Sequence, residues 1–484
     1  MPYTNYDAAT HTSAQLIDAL FLNKAGLSVN YDSFQLIYGV VSSYDSATSS
    51  TTAVNSISFY DGSLNLGIGA GLLLTSGYGV IPTSNSQSGY GTSFEDFYQT
   101  PDTDLQNAVD IAFSGAGSVT DFTSLSFSFE VTDPSVKSIR FDLVFGSDEY
   151  PEYVNSSYVD IAGVFVNGVN YALFNGTASQ PLSVLENNLS AGNFINNSDG
   201  VRSIEYDGIS SKLEIIAPVQ LGTNTIKIAI GDTGDDILDS GLFVANLAAA
   251  NIDGFGLAEV VTLPAGKTPT DDSLGNQIYK LSSGFNYLNL LGGNDVVEGT
   301  DDGVSYINLA YGLADLLGAS FANGVLSLQG PSGSAILSNV SKVGLQDILV
   351  ALDTNQGEAT WDAMALLNAT LQSVAIPQLL AQWSAAAENT SDMNQLAQDF
   401  LNYYFPQGLS TEVLVGHLLN TVAGIQGTTE QIQSLADQIG TGKTFANNGE
   451  FLAFAAQLDL NTNQFAELVG NLVVLDKQVY DSAI

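Results

Sequence analysis

The chain has 484 residues, no cysteine, and 51 acidic against 11 basic side chains, which give a formal net charge of −40. Such a charge repels nucleic-acid phosphates and attracts divalent cations, so nucleic acid is excluded as an expected partner. The lack of cysteine excludes disulfides, thiolate metal sites and a cysteine nucleophile, while 45% hydrophobic and 13% charged residues predict two or three folded domains at this length.

The amino terminus shows no targeting segment. Residues 1–15 lack the basic and apolar regions of a cleavable signal peptide, and no run approaches the ~20 apolar residues of a membrane span. Taken alone, this favours a cytoplasmic protein. Acidic, cysteine-free chains rich in Gly, Asn, Asp and Ser are nevertheless also typical of type I secretion substrates, whose uncleaved signal is carboxy-terminal.

After a polar tail at residues 1–11, the first predicted element is a helix over residues 12–22, capped by Thr12 or Ser13. From there to residue 250, short apolar runs alternate with turn residues at period two, which predicts β-strands. The predicted strands cover residues 64–75, 125–131, 138–145, 161–166, 212–217 and 225–230. Residues 12–250 are therefore expected to form an antiparallel β-sandwich-like domain.

Two segments of this domain, residues 145–160 and 231–241, concentrate acidic side chains with almost no cations nearby. Calcium prefers carboxylate and carbonyl oxygens, and clustered carboxylates repel one another unless a cation intervenes. The candidate calcium ligands are Asp148, Glu149, Glu152, Asn155 and Asp160 in the first segment, and Asp232, Asp235, Asp236 and Asp239 in the second. Two other interpretations stay open, namely turn-forming solvated loops and a catalytic carboxyl pair as in glycosidases.

The same segments carry a family resemblance. It rests on FGSDEYPEYVNSSYVD at residues 145–160, GVFVNGVNYAL at 163–173, IEYDGISSKLEI at 204–215 and IKIAIGDTGDDILDSGLF at 226–243. Together these sequences resemble the bacterial choice-of-anchor L domain, in which both acidic motifs occur together. The resemblance implies a cell-surface or extracellular location and a joint site for the two motifs, but no particular activity.

Residues 251–355 remain strand-like, are richer in Gly and Asn, and are predicted to form a β connector. Within them, residues 291–299 (LGGNDVVEG) resemble one degenerate calcium-binding RTX nonapeptide, with Asn294 and Asp295 as candidate ligands. A single copy cannot build a stacked roll, so an ordinary turn between strands is the alternative. Residues 335–353 resemble the connector that precedes helical carboxy-terminal modules in secreted RTX-type proteins.

From residue 356 to residue 484, Ala, Leu and Gln predominate, which predicts an all-α carboxy-terminal domain. The predicted helices cover residues 361–373, 377–387, 392–403, 411–422, 429–439, 449–458 and 462–480. Residues 439–459 resemble a helical module found at the ends of type I secreted proteins, which places an export signal in residues 475–484. The expected fold class is thus a mainly β amino-terminal part followed by an all-α domain.

No enzyme is expected from these patterns. His11 lies in the polar tail and His417 lies inside a predicted helix. The Gly-rich residues 66–71 precede a strand, and residues 440–444 lack the first glycine of a P-loop. Neither a nucleophilic triad nor a nucleotide-binding loop is therefore predicted.

The combined expectation is a secreted, calcium-stabilised structural protein of the bacterial cell surface or extracellular matrix, which self-assembles or mediates adhesion as in biofilm fibres or surface layers. Calcium is the expected cofactor, and the expected partners are other copies of the chain, cell-surface glycans and the type I secretion machinery. The tail before Thr12 is a candidate strand for pairing with another copy. The alternatives are a monomeric calcium-dependent adhesin for carbohydrate or a host surface and, less expected, a secreted hydrolase.

Overall fold

The computed structural model describes residues 1–45, 50–86, 89–95, 100–113, 115–154, 156, 158, 160–190, 192–374, 376–390 and 392–484. It separates into two compact units, residues 1–261 with 275–278, and residues 262–274 with 279–484. Strands dominate as far as Ala351 and helices predominate after it. This order confirms the predicted fold class.

The first unit is built mainly from strands. In chain order these are β1 Tyr3–Asn5, β2 Leu27–Ile37, β3 Val40–Asp45, β4 Ser50–Asn55, β5 Ile57–Tyr60, β6 Gly71–Thr75, β7 Val119–Val131, β8 Ser138–Ser147, β9 Ile161–Val166, β10 Val169–Asn170, β11 Phe194–Asn196, β12 Gly208–Ser210, β13 Leu213–Pro218, β14 Gly222–Thr233, β15 Ser240–Ala250 and β16 Gly256–Leu263, the last of which continues across the unit boundary. Its helices are α1 Ser13–Leu20, α2 Thr103–Ala112 and α3 Glu186–Ser190, with a 3-10 turn at Phe174–Gly176.

Two antiparallel sheets form the body of this unit. One sheet has the order β1-β5-β6-β15-β8-β13-β16, with β12 attached to β8 and β11 to β12, and the other has the order β10-β9-β14-β7-β2. The hairpin of β3 and β4 stands beside them as a separate pair. The antiparallel sandwich predicted for this region is therefore present.

The first unit's helix α1 begins as predicted. The Thr12 hydroxyl accepts a hydrogen bond from the Gln15 backbone N–H at 3.3 Å, and the Gln15 side chain accepts one from the Thr12 N–H at 2.7 Å. This capping box satisfies two backbone donors at the helix start. The buried side chains Leu16, Ile17 and Leu20 then hold the helix against the sandwich core.

The core lies between the two sheets and follows from the period-two pattern. Phe127 and Phe129 of β7 and Phe141 and Phe145 of β8 point into it and are almost fully buried. Alternate residues of the first sheet, such as Phe243, face the opposite side and pack in a second cluster. Burial of each such side chain contributes roughly 1.5–3 kcal/mol to the free energy of folding. Packing therefore stabilises the first sheet on both of its faces.

The amino-terminal tail is part of this sheet. Strand β1 pairs with β5 of the same chain, with Tyr3 opposite Tyr60, and Tyr3 and Tyr6 are buried. In the structure, the segment expected to offer a strand to another copy therefore completes its own sheet.

The second unit combines further strands with the helices. Its strands are β17 Gly266–Asp271, β18 Gln277–Leu281, which begins in the first unit, β19 Gly284–Leu290, β20 Gly293–Glu298, β21 Gly303–Leu309, β22 Gly318–Ala322, β23 Val325–Gly330, β24 Gly333–Ser338, β25 Lys342–Gly344, β26 Leu349–Ala351 and β27 Val473–Leu475. Its helices are α4 Ala359–Leu371, α5 Pro377–Glu388, α6 Met393–Tyr404, α7 Thr411–Thr421, α8 Thr429–Ala436, α9 Asn448–Ala456, α10 Asp459–Thr462 and α11 Lys477–Asp481, with 3-10 turns at Leu313–Asp315 and Asn463–Leu468.

Parallel stacking of strands distinguishes this unit. Strands β17, β19, β21 and β25 lie side by side and pair in parallel, and β20 pairs in parallel with β24 in a second sheet. In register, Leu288 stacks on Ile307 and Leu290 on Leu309. Apolar side chains of successive strands supply this stacking, and the RTX-like residues 291–299 contain the strand β20.

The helices enclose a core to which strands of the same unit contribute Tyr306, Leu349 and Ala351. Helix α4 is buried on nearly all sides, and Trp361 and Trp383 lie in the same core. The predicted helix over residues 462–480 is wrong, because the 3-10 turn at Asn463–Leu468 and the strand β27 interrupt it. Leu475 of β27 pairs with Leu349 of β26, so a tertiary β-pairing overrides the helical periodicity.

Candidate functional site

The two acidic segments meet at one end of the sandwich. In an antiparallel sandwich the ends of β6, β8 and β14 share an edge with the starts of β7, β9 and β15. The Asp148 backbone N–H donates to the Asp239 carbonyl oxygen at 3.2 Å, directly beyond the pair of Ser147 and Ser240. The joint placement expected from the family resemblance is thus observed.

Three neighbouring strands bring further carboxyl groups to this edge. Gly231 of β14 pairs with Ile161 of β9, so Asp232 and Asp160 follow on opposing strands. On the other side of β14, Asp232 pairs with Thr120 of β7 after a bulge. Asp121 of β7 lies beside this bulge.

Several carboxylate oxygens at this edge are buried without a hydrogen-bond partner. They are both oxygens of Asp232, Oδ2 of Asp160, Oε2 of Glu149 and Oδ1 of Asp121. All four side chains are at most 2% exposed. A buried polar atom without a partner is costly, and a buried charge more so, so this cluster requires protons or a cation.

The raised pKa values of these carboxyl groups also indicate that the cluster needs protons or a cation. Burial raises the pKa of Glu149 to about 9, with a further contribution from the charges of Asp160 and Asp235. Burial also raises the pKa of Asp160 and of Asp232 well above the usual range, and the charge of Asp160 adds to the effect on Asp232. An added positive charge would stabilise all of them.

Two other buried acids are well bonded. Asp148 accepts hydrogen bonds from the backbone N–H of Tyr90 and, at 3.0 Å, of Asp207. Asp239 accepts from the Thr92 N–H at 2.8 Å and from the Thr92 hydroxyl at 3.0 Å. Burial raises the pKa of both carboxyls to about 7. These two side chains hold the loop of residues 89–95 over the end of the sandwich.

The remaining predicted ligands are more dispersed. Asp235 and Asp236 are half-buried, and their carbonyl oxygens accept hydrogen bonds from Thr120 and Ser93. Glu152 is exposed, and Asn155 lies outside the described residues. Asn294 and Asp295 belong to β20 of the second unit, where the Asn294 side chain accepts from the Ser334 hydroxyl at 2.8 Å.

Asp121 was not among the predicted ligands. It lies in a largely buried strand, outside both acidic segments. The usable signal is a single acid among buried positions of a strand, which is uncommon unless the acid is paired.

The side chains do not yet converge as in an occupied metal centre. In the described part of the chain, no group of three or more His, Cys, Asp or Glu side chains is arranged to hold a metal ion. The unpartnered oxygens provide the donor chemistry that calcium prefers, but their side chains must turn towards a common point to bind it.

The second unit contains a cavity of about 1080 Å³. Its wall includes the acidic side chains Asp301, Asp302, Asp353, Glu358, Asp362 and Glu388, together with Lys267, Phe285 and Phe321. Asp353 and Glu388 pair with the buried Lys342 at 2.6 and 2.7 Å. A cavity of this size is large enough for a small ligand.

The two histidines serve local structure. His11 packs against Phe59, with tilted rings 5.0 Å apart between centres, and accepts from the Asp7 N–H. His417 is hydrogen-bonded to the Thr370 carbonyl oxygen at 2.6 Å in the other unit. Neither contact resembles a nucleophile and its base.

Within the residues that the structure describes, no helix has both the length and the hydrophobicity that crossing a bilayer requires. No curated protein matches the chain significantly. A family 35 carbohydrate-binding module from an environmental isolate matches among solved structures, with 19% identity over 36% of this chain and 88% of the module, and a TM-score of 0.15. A TM-score this low supports no conclusion about fold or ligand.

The family comparison is more extensive. The profile described as the choice-of-anchor L domain matches residues 5–248, half of the chain. This range contains both acidic segments and the sandwich end at which they meet. The chain therefore belongs to the choice-of-anchor L domain family, which indicates a bacterial surface or extracellular protein.

Proposed function

We propose that this protein is a calcium-stabilised structural component of the bacterial cell surface or extracellular matrix, exported by a type I route and assembled from copies of itself. The observation that carries the proposal is the set of buried, unpartnered carboxylate oxygens of Glu149, Asp160 and Asp232. The chemistry of these oxygens suits calcium.

Calcium would act on folding through this cluster. At low calcium, deprotonated carboxylates repel one another and oppose closure of the sandwich end. Outside the cell, an ion bound only by the folded state stabilises it, by ~2.7 kcal/mol when calcium exceeds its dissociation constant a hundredfold. Export in an unfolded state and folding outside the cell follow from this coupling.

The net charge of −40 supports an assembly role for the same ion. Copies with this charge repel one another over distances near the Debye length, about 8 Å at physiological ionic strength. Divalent cations screen and bridge such surfaces. Self-association would therefore depend on calcium even where the fold itself is complete.

The test is to purify the full-length chain and compare it in excess chelator, in millimolar calcium and in millimolar magnesium. Thermal unfolding, light scattering and negative-stain microscopy are recorded on the same samples. Calcium-specific stabilisation together with ordered fibres or sheets supports the proposal. Equal stability in chelator and calcium overturns the role of the metal.

An adhesin for carbohydrate or a host surface is the second candidate, and the cavity of the second unit favours it. Its wall combines carboxylates with Phe285 and Phe321, groups that contact sugars as hydrogen-bond acceptors and apolar surfaces. A protein that stays monomeric in calcium and is retained by a glycan array would support this function over assembly.

A secreted hydrolase would be recognised by turnover of a substrate. Raised pKa values also occur at acid catalysts, so Asp148→Asn and Asp235→Asn offer the discriminating variants. Loss of a measured hydrolytic activity with unchanged thermal stability would favour catalysis over a structural role.

A further inference from the structure

We propose that Asp121 completes the calcium site together with Glu149, Asp160 and Asp232, whereas Asp148 and Asp239 position the loop of residues 89–95 and do not bind the ion. This inference rests on the proposed calcium binding. It divides the acidic groups by their partners and adds a residue from outside both acidic segments.

The strand register places Asp121 at the cluster. Thr120 pairs with Asp232 and Thr123 pairs with Ile230, with a bulge between them. Asp121 thus lies where β7 and β14 lose their regular pairing. Bulges of this kind redirect side chains and are frequent beside functional sites.

The Asp121 side chain is 1% exposed and half satisfied. Its Oδ2 accepts from the Phe94 backbone N–H at 2.6 Å, while its Oδ1 has no partner. Because Thr120 is the pairing partner of Asp232, Asp121 follows directly after the residue opposite Asp232.

The Asp121 backbone is also in an uncommon conformation, with φ of 36°. Positive φ is disfavoured for side chains other than glycine, although Asp and Asn tolerate it better than most. Such strain concentrates at binding sites, where the surrounding structure maintains it. At this position it accompanies a buried carboxylate with a free oxygen.

The pattern of hydrogen bonds separates ligands from positioning residues. Both oxygens of Asp148 and both oxygens of Asp239 accept hydrogen bonds. Each member of the Asp121 group retains at least one buried oxygen without a partner. A calcium ion takes 6–8 oxygen ligands, and of the two groups only the second contains buried oxygens that no other group satisfies.

The test compares unfolding temperatures of full-length variants as calcium is raised from about 0.1 to about 10 mM, the affinity range of extracellular calcium modules. Asp121→Asn preserves size and tolerance of positive φ but removes one charge. Its unfolding temperature should equal or exceed that of the unmodified chain at the lowest calcium, because repulsion is relieved and the remaining amide oxygen can still accept from the Phe94 N–H. Its rise with calcium should require at least about tenfold more calcium.

Asp239→Asn should behave differently. It weakens the bonds to Thr92, so its curve should lie below that of the unmodified chain at every calcium concentration and run parallel to it. If Asp121→Asn retains the full calcium response, or if Asp239→Asn loses it, the division is overturned. If the unmodified chain itself shows no response, calcium binding fails as a whole, an outcome distinct from the other two.

A second substitution guards against misfolding. Asp121→Gly accommodates positive φ and carries no carboxylate. Should Asp121→Asn not fold, Asp121→Gly must show the same weakened response to calcium. A full response in this variant would also contradict the proposal.

Discussion

The backbone N–H of Asp148 donates to the carbonyl oxygen of Asp239 at 3.2 Å, which ties the two acidic segments together. The side chains of the same two residues bind the loop of residues 89–95 from two sides. Asp148 and Asp239 therefore fix the loop to the end of the sandwich. The unpartnered carboxylates of Asp160 and Asp232 lie at the same end. A cation bound there would hold the neighbouring strands β9 and β14 together.

The loop of residues 89–95 approaches the backbone of Ile237 so closely that position 91 must be glycine. A Cβ atom at Gly91 would lie 1.4 Å from the Ile237 carbonyl oxygen, so Gly91→Ala must push the loop away. The hydrogen bonds from Tyr90 to Asp148 and from Thr92 to Asp239 would then weaken. We expect a loss of more than about 2 kcal/mol in the free energy of unfolding, measured by urea denaturation.

Gly266→Ala is the matched control, because no atom lies within 4 Å of the added Cβ atom. Its effect should remain within about 0.5 kcal/mol. Equal effects of the two substitutions would show that the loop of residues 89–95 is not held as described.

Tyr3 anchors the amino terminus through packing. Its ring lies 6.1 Å from that of Tyr60 and 6.4 Å from that of Phe243, and its hydroxyl has no hydrogen-bond partner. Tyr3→Ala should cost about 3 kcal/mol of stability, as for other buried aromatic truncations. Tyr3→Phe should be neutral or slightly stabilising, because it removes only an unsatisfied hydroxyl.

Thermal unfolding and light scattering distinguish the role of this strand. If β1 belongs to its own sheet, Tyr3→Ala lowers the unfolding temperature of the monomer. A variant that keeps its stability but fails to assemble would instead indicate that the strand pairs with another copy.

Part of this architecture could be predicted from sequence. The capping box at Thr12 and Gln15 and the alternation along β7 and β8 are local, so they identify a helix and sandwich strands directly. Joint placement of the acidic segments required the family resemblance, because their spacing of about seventy residues carries no geometric information.

The remainder depends on tertiary pairing. Asp121 joins the site only because β7 lies beside β14, which no local pattern reveals. Residues 473–475 have helical periodicity but form β27, since pairing with Leu349 competes successfully with a marginal helix. Parallel stacking of β19 and β21 likewise appears only when Leu288 and Ile307 are seen in register.

A buried ion cluster in the second unit offers a strong test of packing. Lys342 is fully buried between Asp353 and Glu388, at 2.6 and 2.7 Å, and Glu388 also accepts from the Tyr480 hydroxyl at 2.6 Å. Lys342→Met would leave two buried carboxylates without their cation. We expect a loss of about 3–5 kcal/mol, measured by chemical denaturation.

Lys280→Met is the control for this substitution. Lys280 pairs with Glu298, and both side chains are partly exposed, so the loss should stay below about 1 kcal/mol. Adding Asp353→Asn to Lys342→Met should restore part of the stability. A Lys342→Met variant as stable as the Lys280→Met variant would refute the importance of the buried cluster.

Asp362 should make the stability of the chain depend on pH. It lines the cavity of the second unit, and burial together with the charge of Asp353 raises its pKa from 3.8 to about 6. The folded chain therefore holds this proton more tightly than the unfolded chain. The resulting stabilisation is complete below the unfolded pKa and disappears as pH rises through about 6.

Asp362→Asn should flatten the fall in unfolding temperature between about pH 4 and about pH 7 and should raise stability at neutral pH. Asp399→Asn, which changes an exposed acid of α6 that accepts from Gln395 at 2.8 Å, should leave the pH profile unchanged. Identical profiles for the unmodified chain and Asp362→Asn would show that this carboxyl ionises as freely in the folded protein as in the unfolded one.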